Sequence, residues 1–484
     1  MTDLTQSEAT VYDTVAYPTA IFTQTHPDRL AVIAQLHELA AADPATARVL
    51  EVGCGDGMNL LAMAVAAPEA RFTGFDLAPT VIERGRTRAA AAGLHNVELE
   101  VRDVVEAARE LEGEFDYIIA HGLYAWVPPR VRDALLALIG RVVAPQGIAF
   151  VSYNTLPGGY FRMAVRDLMC HFIPADAAPE AMLRIARQVL QQFAEPRADD
   201  GPAMAAYRHQ AARTLEQPDG LLFHDELGAE YHPQLHSEVC AAAAREGLVF
   251  LGDTGRGRFD DGFLPEGVEP NADVQAQIVA LAQQRDFMDL RYFRRSLFVR
   301  ADAQPRRTFE PAAMRRLWAS SRCTRDGDGW RGEEGTLFAV KDPVLAAALD
   351  RLAQARPARL PVAALDLDDA RLRSLLQLFD LGPIDLHTGP APFATEPPER
   401  PALSSLARAL IAEGIENLCT LDHSTVRIED PVLQRFFAGL DGSRDAEGMQ
   451  ALAADSGFAD PAQCREMLDV ALRKALIMRP RTAA

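Results

Sequence analysis

Apolar positions in the first third of this chain alternate between two rhythms. Short runs with the character of buried strands fall at 48–52, 70–76, 97–102, 115–120 and 147–153, and segments of helical period occupy 59–67, 80–92 and 130–143. The clearest helical stripe is Val131, Ala134, Leu135, Leu138, Ile139, Val142 and Val143. A further helix is expected over 27–41, with Leu30, Ile33, Leu36 and Leu39 facing inward. Strands separated by amphipathic helices predict an α/β fold with a mostly parallel, doubly wound sheet. Its ligand site belongs at the carboxyl ends of the strands.

The alternation stops after Tyr153. Residues 160–172, 180–193 and 203–215 carry helical signatures only, and the helix-strand rhythm returns over 233–252, with a last strand at 294–300. The pattern predicts a helical insertion over the strand ends at 154–230, with 233–300 supplying the last helix and an antiparallel strand pair. A separate helical domain from about 200 to 300 fits the same pattern. Beyond a proline-containing break at 303–311, a strand-helix-helix-strand unit resembles a winged helix, and a related pattern recurs around 430–478 across the linker 389–401. The expected division is 1–153, 154–300 and 305–484.

The stretch Arg48-Val-Leu-Glu-Val-Gly-Cys-Gly-Asp-Gly57 carries the chemistry. Its strand breaks into a turn with glycine at every second position, which lets backbone approach a ligand closely. Glu51 on the strand and Asp56 inside the turn suit a cation and argue against a diphosphate cradle. Asp76 closes the second strand, where a carboxylate accepts from a ribose diol. Asp103 closes the third, placed to meet an adenine amino group.

This set resembles the class I S-adenosylmethionine-dependent methyltransferases, which implies a seven-stranded sheet and S-adenosylmethionine as cofactor. Glu51, Gly53, Cys54, Gly55, Gly57, Asp76, Leu77, Asp103, Val104 and Ala120 are the expected cofactor-binding positions. His121, Tyr124, Trp126, Tyr153 and Asn154 border the transferable methyl, and aromatic faces there suit a sulfonium or an ammonium. His121, Tyr124, Asn154 and Tyr17 are the candidate catalytic residues. His121 has two readings, a proton relay or a donor of its backbone carbonyl alone. The leader aromatics Tyr12, Tyr17 and Phe22, with His26, read equally as a lid over the cofactor or as packing against the sheet.

Composition narrows the substrate. A net charge of -19 repels a phosphate backbone, so nucleic acid is disfavoured. DNA adenine methylation is disfavoured also because Ala120-His121-Gly122-Leu123 stands where such enzymes carry an acid or Asn followed by Pro-Pro-aromatic. Six scattered cysteines without a Cys-x-x-Cys signal neither a zinc site nor a disulfide framework, and no other metal set is indicated. With no apolar run long enough for a membrane span and no signal peptide, a cytoplasmic enzyme is expected. The C-terminal region is not basic enough for DNA binding to be the default, which favours protein contact or a homodimer.

The leader 17–27, the glycine loop 51–57, and the stretches 121–128, 152–158 and 286–295 together look like bacterial methyltransferases with a methyltransferase regulatory domain. That group includes rickettsial protein-lysine methyltransferases. The resemblance implies methyl transfer to protein lysine or, alternatively, to a small-molecule N or O acceptor; a cofactor-sensing interaction protein is the non-enzymatic reading. An acidic roof near Glu180, Glu195, Asp199 and Asp200 would attract a basic acceptor. On this reading a chain ending near Arg300 keeps nearly native cofactor affinity.

Overall fold

The computed structural model describes residues 19–332, 335–458 and 460–480. In chain order, α1 (Pro27–Leu36) leads into β1 (Arg48–Val52), α2 (Met58–Ala66), β2 (Arg71–Asp76), α3 (Pro79–Ala91), β3 (Val97–Val101) and α4 (Val104–Glu110). Then come β4 (Phe115–Ala120), α5 (Pro129–Val142) and β5 (Val143–Asn154). The helices α6 (Gly159–Phe172), α7 (Pro179–Ala194) and α8 (Pro202–Leu215) follow, and α9 (His236–Arg245), β6 (Leu248–Asp253), α10 (Val274–Met288) and β7 (Phe293–Arg300) close the unit.

The seven strands form one sheet in the order β3-β2-β1-β4-β5-β7-β6. Strands β1 to β5 are parallel, whereas β7 runs antiparallel to both β5 and β6. Leu30, Ile33, Leu60, Met63 and Ile82 cover one face of the sheet, with Val49, Phe72, Ile119 and Phe150 beneath them. Leu135, Leu138, Ile139, Val239 and Ile278 cover the other. The helices bury their apolar stripes against the central strands β1, β4 and β5, which are buried on both sides and read as near-continuous apolar runs, whereas β3 at the sheet edge alternates as Val-Glu-Leu-Glu-Val.

The expected strands and the insertion are present, and α6 to α8 close their own apolar cluster through Val165, Met169, Ala186, Leu190 and Ala211. Two helices lacked a strong enough stripe to be expected, α4 and α10. The first helix ends at Leu36 and not at 41, because Glu38 takes a left-handed conformation (φ 61°). Leu39 is nonetheless buried, in the loop that follows.

The C-terminal region forms two lobes. The first contains β8 (Trp318–Ser321), β9 (Thr324–Asp326), β10 (Gly329–Arg331), β11 (Leu337–Phe338), α11 (Pro343–Ala355), β12 (Leu360–Pro361), α12 (Asp369–Leu381) and β13 (Ile384–His387). Its core of Trp330, Leu349, Leu375 and Phe379 extends onto Val32 and Leu36 of α1. The second contains α13 (Ser405–Ala412), β14 (Asn417–Cys419), β15 (Thr425–Arg427), α14 (Pro431–Ala438), α15 (Ala446–Ser456) and α16 (Pro461–Arg473). Leu406, Leu410, Leu418 and Phe437 of this lobe share one cluster with Met58, Leu61, Ala62 and Val65 of α2. Neither lobe closes its core without the sheet-bearing part of the chain.

Candidate functional site

The strand ends carry the acids in the order the sequence predicts, and each has a different job. Glu51 pairs in register with Gly74 of β2 and Ile119 of β4, so it sits at the centre of the sheet. It is 4% exposed. Its Oε1 accepts from Asn59 Nδ2 at 2.8 Å, and Oε2 is buried without a partner. Burial lifts its pKa to about 8, against the lowering effect of the Asn59 hydrogen bond. A buried carboxylate oxygen with nothing to accept from fits the ammonium of the cofactor's methionine part.

Asp76 holds the glycine turn. Its Oδ2 accepts from Gly55 N–H at 2.9 Å and its Oδ1 from Ala78 N–H at 3.0 Å, and burial pushes its pKa up. Gly55 has φ 55°, and nothing lies within 4 Å of where a Cβ would stand, so the turn presents bare backbone to open space. Gly85 of α3 is the opposite case, since a Cβ there would fall 2.3 Å from the carbonyl oxygen of Asp56. The helix therefore packs directly on the loop.

Asp56 is the loop's anchor. Its Oδ2 accepts from Arg88 Nη1 at 2.7 Å and from Thr19 Oγ1 at 2.7 Å. Asp103 caps α4, with Oδ1 accepting from Val105 N–H at 2.6 Å and Glu106 N–H at 3.2 Å. Its second oxygen takes no part in the cap. Cys54 turns its thiol into the core beside the Gly74 backbone, and its own backbone is engaged within the turn, the N–H donating to Phe75 O and the carbonyl accepting from Gly57 N–H. Ala120 is buried at the end of β4, and Leu77 and Val104 flank the second and third strand tips.

The residues expected at the methyl group divide. His121 Nδ1 lies 2.7 Å from Ser152 Oγ, and its ring meets Phe22 edge-on at 4.0 Å. Burial, with Arg295 nearby, drops its pKa to about 3, so it is a poor proton acceptor. Asn154 is buried at the tip of β5 with Oδ1 unpartnered. Tyr124 and Tyr153 go elsewhere: both rings lie in the apolar layer under α5, and the Tyr153 hydroxyl contacts His236 Nδ1 at 2.8 Å and Ser296 Oγ at 3.0 Å. Strand alternation sends Tyr153 to the face opposite its neighbour Asn154. Tyr17, like Tyr12, lies outside the described residues.

The leader residues that are described close over the site from the side, through Thr19 on Asp56, Phe22 on His121, and Phe22 N–H donating to Asn59 Oδ1 at 3.0 Å. His26 has a local role, its Nδ1 accepting from Asp28 N–H as the N-cap of α1.

The segment 231–234 was missed by sequence reasoning. His232 N–H donates to Ala125 O, Gln234 N–H to Asn154 O, and the Tyr231 ring packs tilted against Trp126 with centroids 4.8 Å apart. Tyr231 Oη and Gln234 Oε1 are buried without partners, as is Asn154 Oδ1. Arg162 lies over Trp126 at 4.8 Å and over Tyr231 at 5.3 Å, which pins α6 onto this corner.

Of the expected acidic roof, Glu180, Glu195 and Asp199 are exposed, whereas Asp200 is engaged within the protein. Asp200 is ion-paired with Arg208 at 2.7 Å, and Glu180 borders a shallow depression with Arg184 and Arg187. A cavity of about 1050 Å³ lies away from the strand ends, between α1 and the two C-terminal lobes, and includes none of the acids described above. Among the described residues no helix is long and apolar enough to cross a membrane.

This strand order, with one antiparallel strand and acids at the tips of β1, β2 and β3, defines a class I methyltransferase fold. Residues 49–147 match a methyltransferase domain family, and residues 218–300 match a methyltransferase regulatory domain. Among curated relatives, RP028 of Rickettsia prowazekii is 33% identical over 45% of this chain and 87% of its own length. RP789 of the same organism is 31% identical over 60% of this chain, which spans 53% of RP789. Among solved structures, PKMT2 from Rickettsia typhi aligns with a TM-score of 0.79 at 21% identity, covering 95% of this chain and all of that one. PKMT2 has also been solved in complex with AdoHcy. The chain belongs to the class I S-adenosylmethionine-dependent methyltransferases that carry a methyltransferase regulatory domain.

Proposed function

We propose that this protein transfers methyl groups from S-adenosylmethionine to lysine side chains of a protein acceptor. The observation that carries the reading is the trio of buried, unpartnered oxygens Asn154 Oδ1, Tyr231 Oη and Gln234 Oε1, on two segments hydrogen-bonded to each other at the tip of β5. Oxygens left without donors suit an incoming amine, which brings N–H donors. The likeness to PKMT2 supports the same reading, since its coverage leaves no room for the roof or either C-terminal lobe to be missing.

Transfer from a sulfonium is a displacement, so the protein's part is alignment of a neutral amine with the methyl group. His121, held neutral and bonded to Ser152, shapes the wall of the site and does not draw the proton. The three oxygens orient the amine. Incubating the purified protein with methyl-labelled cofactor and bacterial protein tests the reading. Label should enter protein and survive as methyl-lysine on acid hydrolysis. Label confined to an organic extract would overturn it in favour of a small-molecule acceptor.

A further inference from the structure

Asn59, on the first turn of α2, is buried and uses both ends of its amide. Oδ1 accepts from Phe22 N–H at 3.0 Å, which fixes that atom as the oxygen because a backbone amide can only donate. Nδ2 donates to Glu51 Oε1 at 2.8 Å and to Thr25 Oγ1 at 3.1 Å. The remaining neighbour is His423, whose Nε2 lies 2.9 Å from Asn59 Oδ1. Facing an oxygen, Nε2 must carry the proton, and the bare Nδ1 is buried without a partner.

His423 belongs to the second C-terminal lobe, far from α2 in sequence. It stands in the turn between β14 and β15, closed by Thr420 N–H to Ser424 O at 2.9 Å, and has φ 58°. That left-handed backbone is costly for a residue with a Cβ and persists where the surroundings determine it. They do so here: Thr23 Oγ1 donates to His423 O at 2.9 Å, and the His26 ring lies 5.0 Å away. The same lobe grips the glycine loop by a second route, since Arg88 joins Asp56 at 2.7 Å to Glu413 at 3.0 Å.

We propose that His423 is a positioning residue of the cofactor site, setting the orientation of Asn59 and through it the carboxylate of Glu51, so that the C-terminal lobe completes that site. The inference rests on the cofactor site above and is independent of the acceptor's identity. Without the His423 donor, the Asn59 amide loses one of the two close groups that define its oxygen end. Glu51 then loses its fixed donor and the orientation that keeps Oε2 toward the ligand.

The test uses the full chain with two variants. His423→Asn keeps a side chain tolerant of positive φ but is too short to reach Asn59. His423→Gln restores a donor at that reach on a less tolerant backbone. Calorimetry with S-adenosylhomocysteine should show a roughly tenfold weaker dissociation constant for the asparagine variant and recovery to within about threefold for the glutamine variant, whatever their order of melting temperature. The pH midpoint of cofactor affinity should also move upward in the asparagine variant alone, because the Asn59 hydrogen bond holds the Glu51 pKa down. Wild-type affinity in the asparagine variant, or losses in both variants that track melting temperature, would overturn the proposal. A wild-type protein that binds no cofactor would sink the site assignment and this inference with it.

Discussion

Glu51 takes one hydrogen bond from Asn59 and leaves its second oxygen buried and empty, with a pKa of about 8. A cationic ligand favours the ionised form, so cofactor binding below pH 8 should release a proton. Affinity should therefore strengthen as pH rises from 6 to 7.5, by up to tenfold per unit. In the free protein the sign is opposite. The folded state holds a proton that the unfolded state loses above its ordinary value of 4.5, so this group's contribution to stability falls as pH rises from 4.5 to 8. Calorimetry in buffers of different ionisation enthalpy should count close to one proton released near pH 6.5, and none in Glu51→Gln.

Asp76→Ala should lose about 2–4 kcal/mol of cofactor affinity, since charge-assisted hydrogen bonds to the ribose disappear. Because Asp76 also accepts from Gly55 and Ala78, the variant should melt lower even without ligand. Melting curves with and without cofactor separate the two effects. An unchanged apo melting temperature would show that the turn does not depend on Asp76.

Arg294 is fully buried and ion-paired with Asp286 at 2.7 Å, beside Arg291, which pairs with Asp253 at 2.8 Å and Asp261 at 2.7 Å. Removing one partner strands buried charge, so Arg294→Ala should cost roughly 3–5 kcal/mol. Denaturant unfolding measures it. The stretch 286–295, which carries part of the family resemblance, is by this geometry the lock that closes β6, β7 and α10.

A chain ending at Arg300 should be poorly soluble and lose most of its cofactor affinity. Met58, Leu61, Ala62 and Val65 of α2, and Val32 and Leu36 of α1, would be stripped of their covering lobes. This reverses the expectation drawn from sequence. Light scattering and calorimetry on the truncated chain test this, and near-native binding would show that the lobes are dispensable for the cofactor site.

Tyr231→Phe and Asn154→Leu should lower kcat/KM for the acceptor by about tenfold or more while leaving the cofactor dissociation constant near wild type, each removing a hydrogen-bonding group worth roughly 1–2 kcal/mol. Steady-state kinetics with each substrate varied in turn would show it. An equal rise in both Michaelis constants would place these residues in the cofactor site.

The sequence by itself determined the sheet and the acids at its edge. Periods of two and 3.6 are local properties, and Glu51 and Asp76 lie within, and the glycine turn and Asp103 just beyond, strands whose ends the chain announces with glycine or aspartate. Tertiary structure decided everything that depends on contact between distant segments. Asn59 reads as one more residue of a short helix until His423, Phe22 and Glu51 converge on it. Tyr153 and Asn154 are neighbours in sequence, and only the pleat, with a core on one side and the site mouth on the other, assigns them opposite roles. Tyr231 and Gln234 carry no motif. Their place beside Asn154 arises because the chain after the roof returns along the tip of β5, where burial strips their oxygens of water and leaves them unpaired.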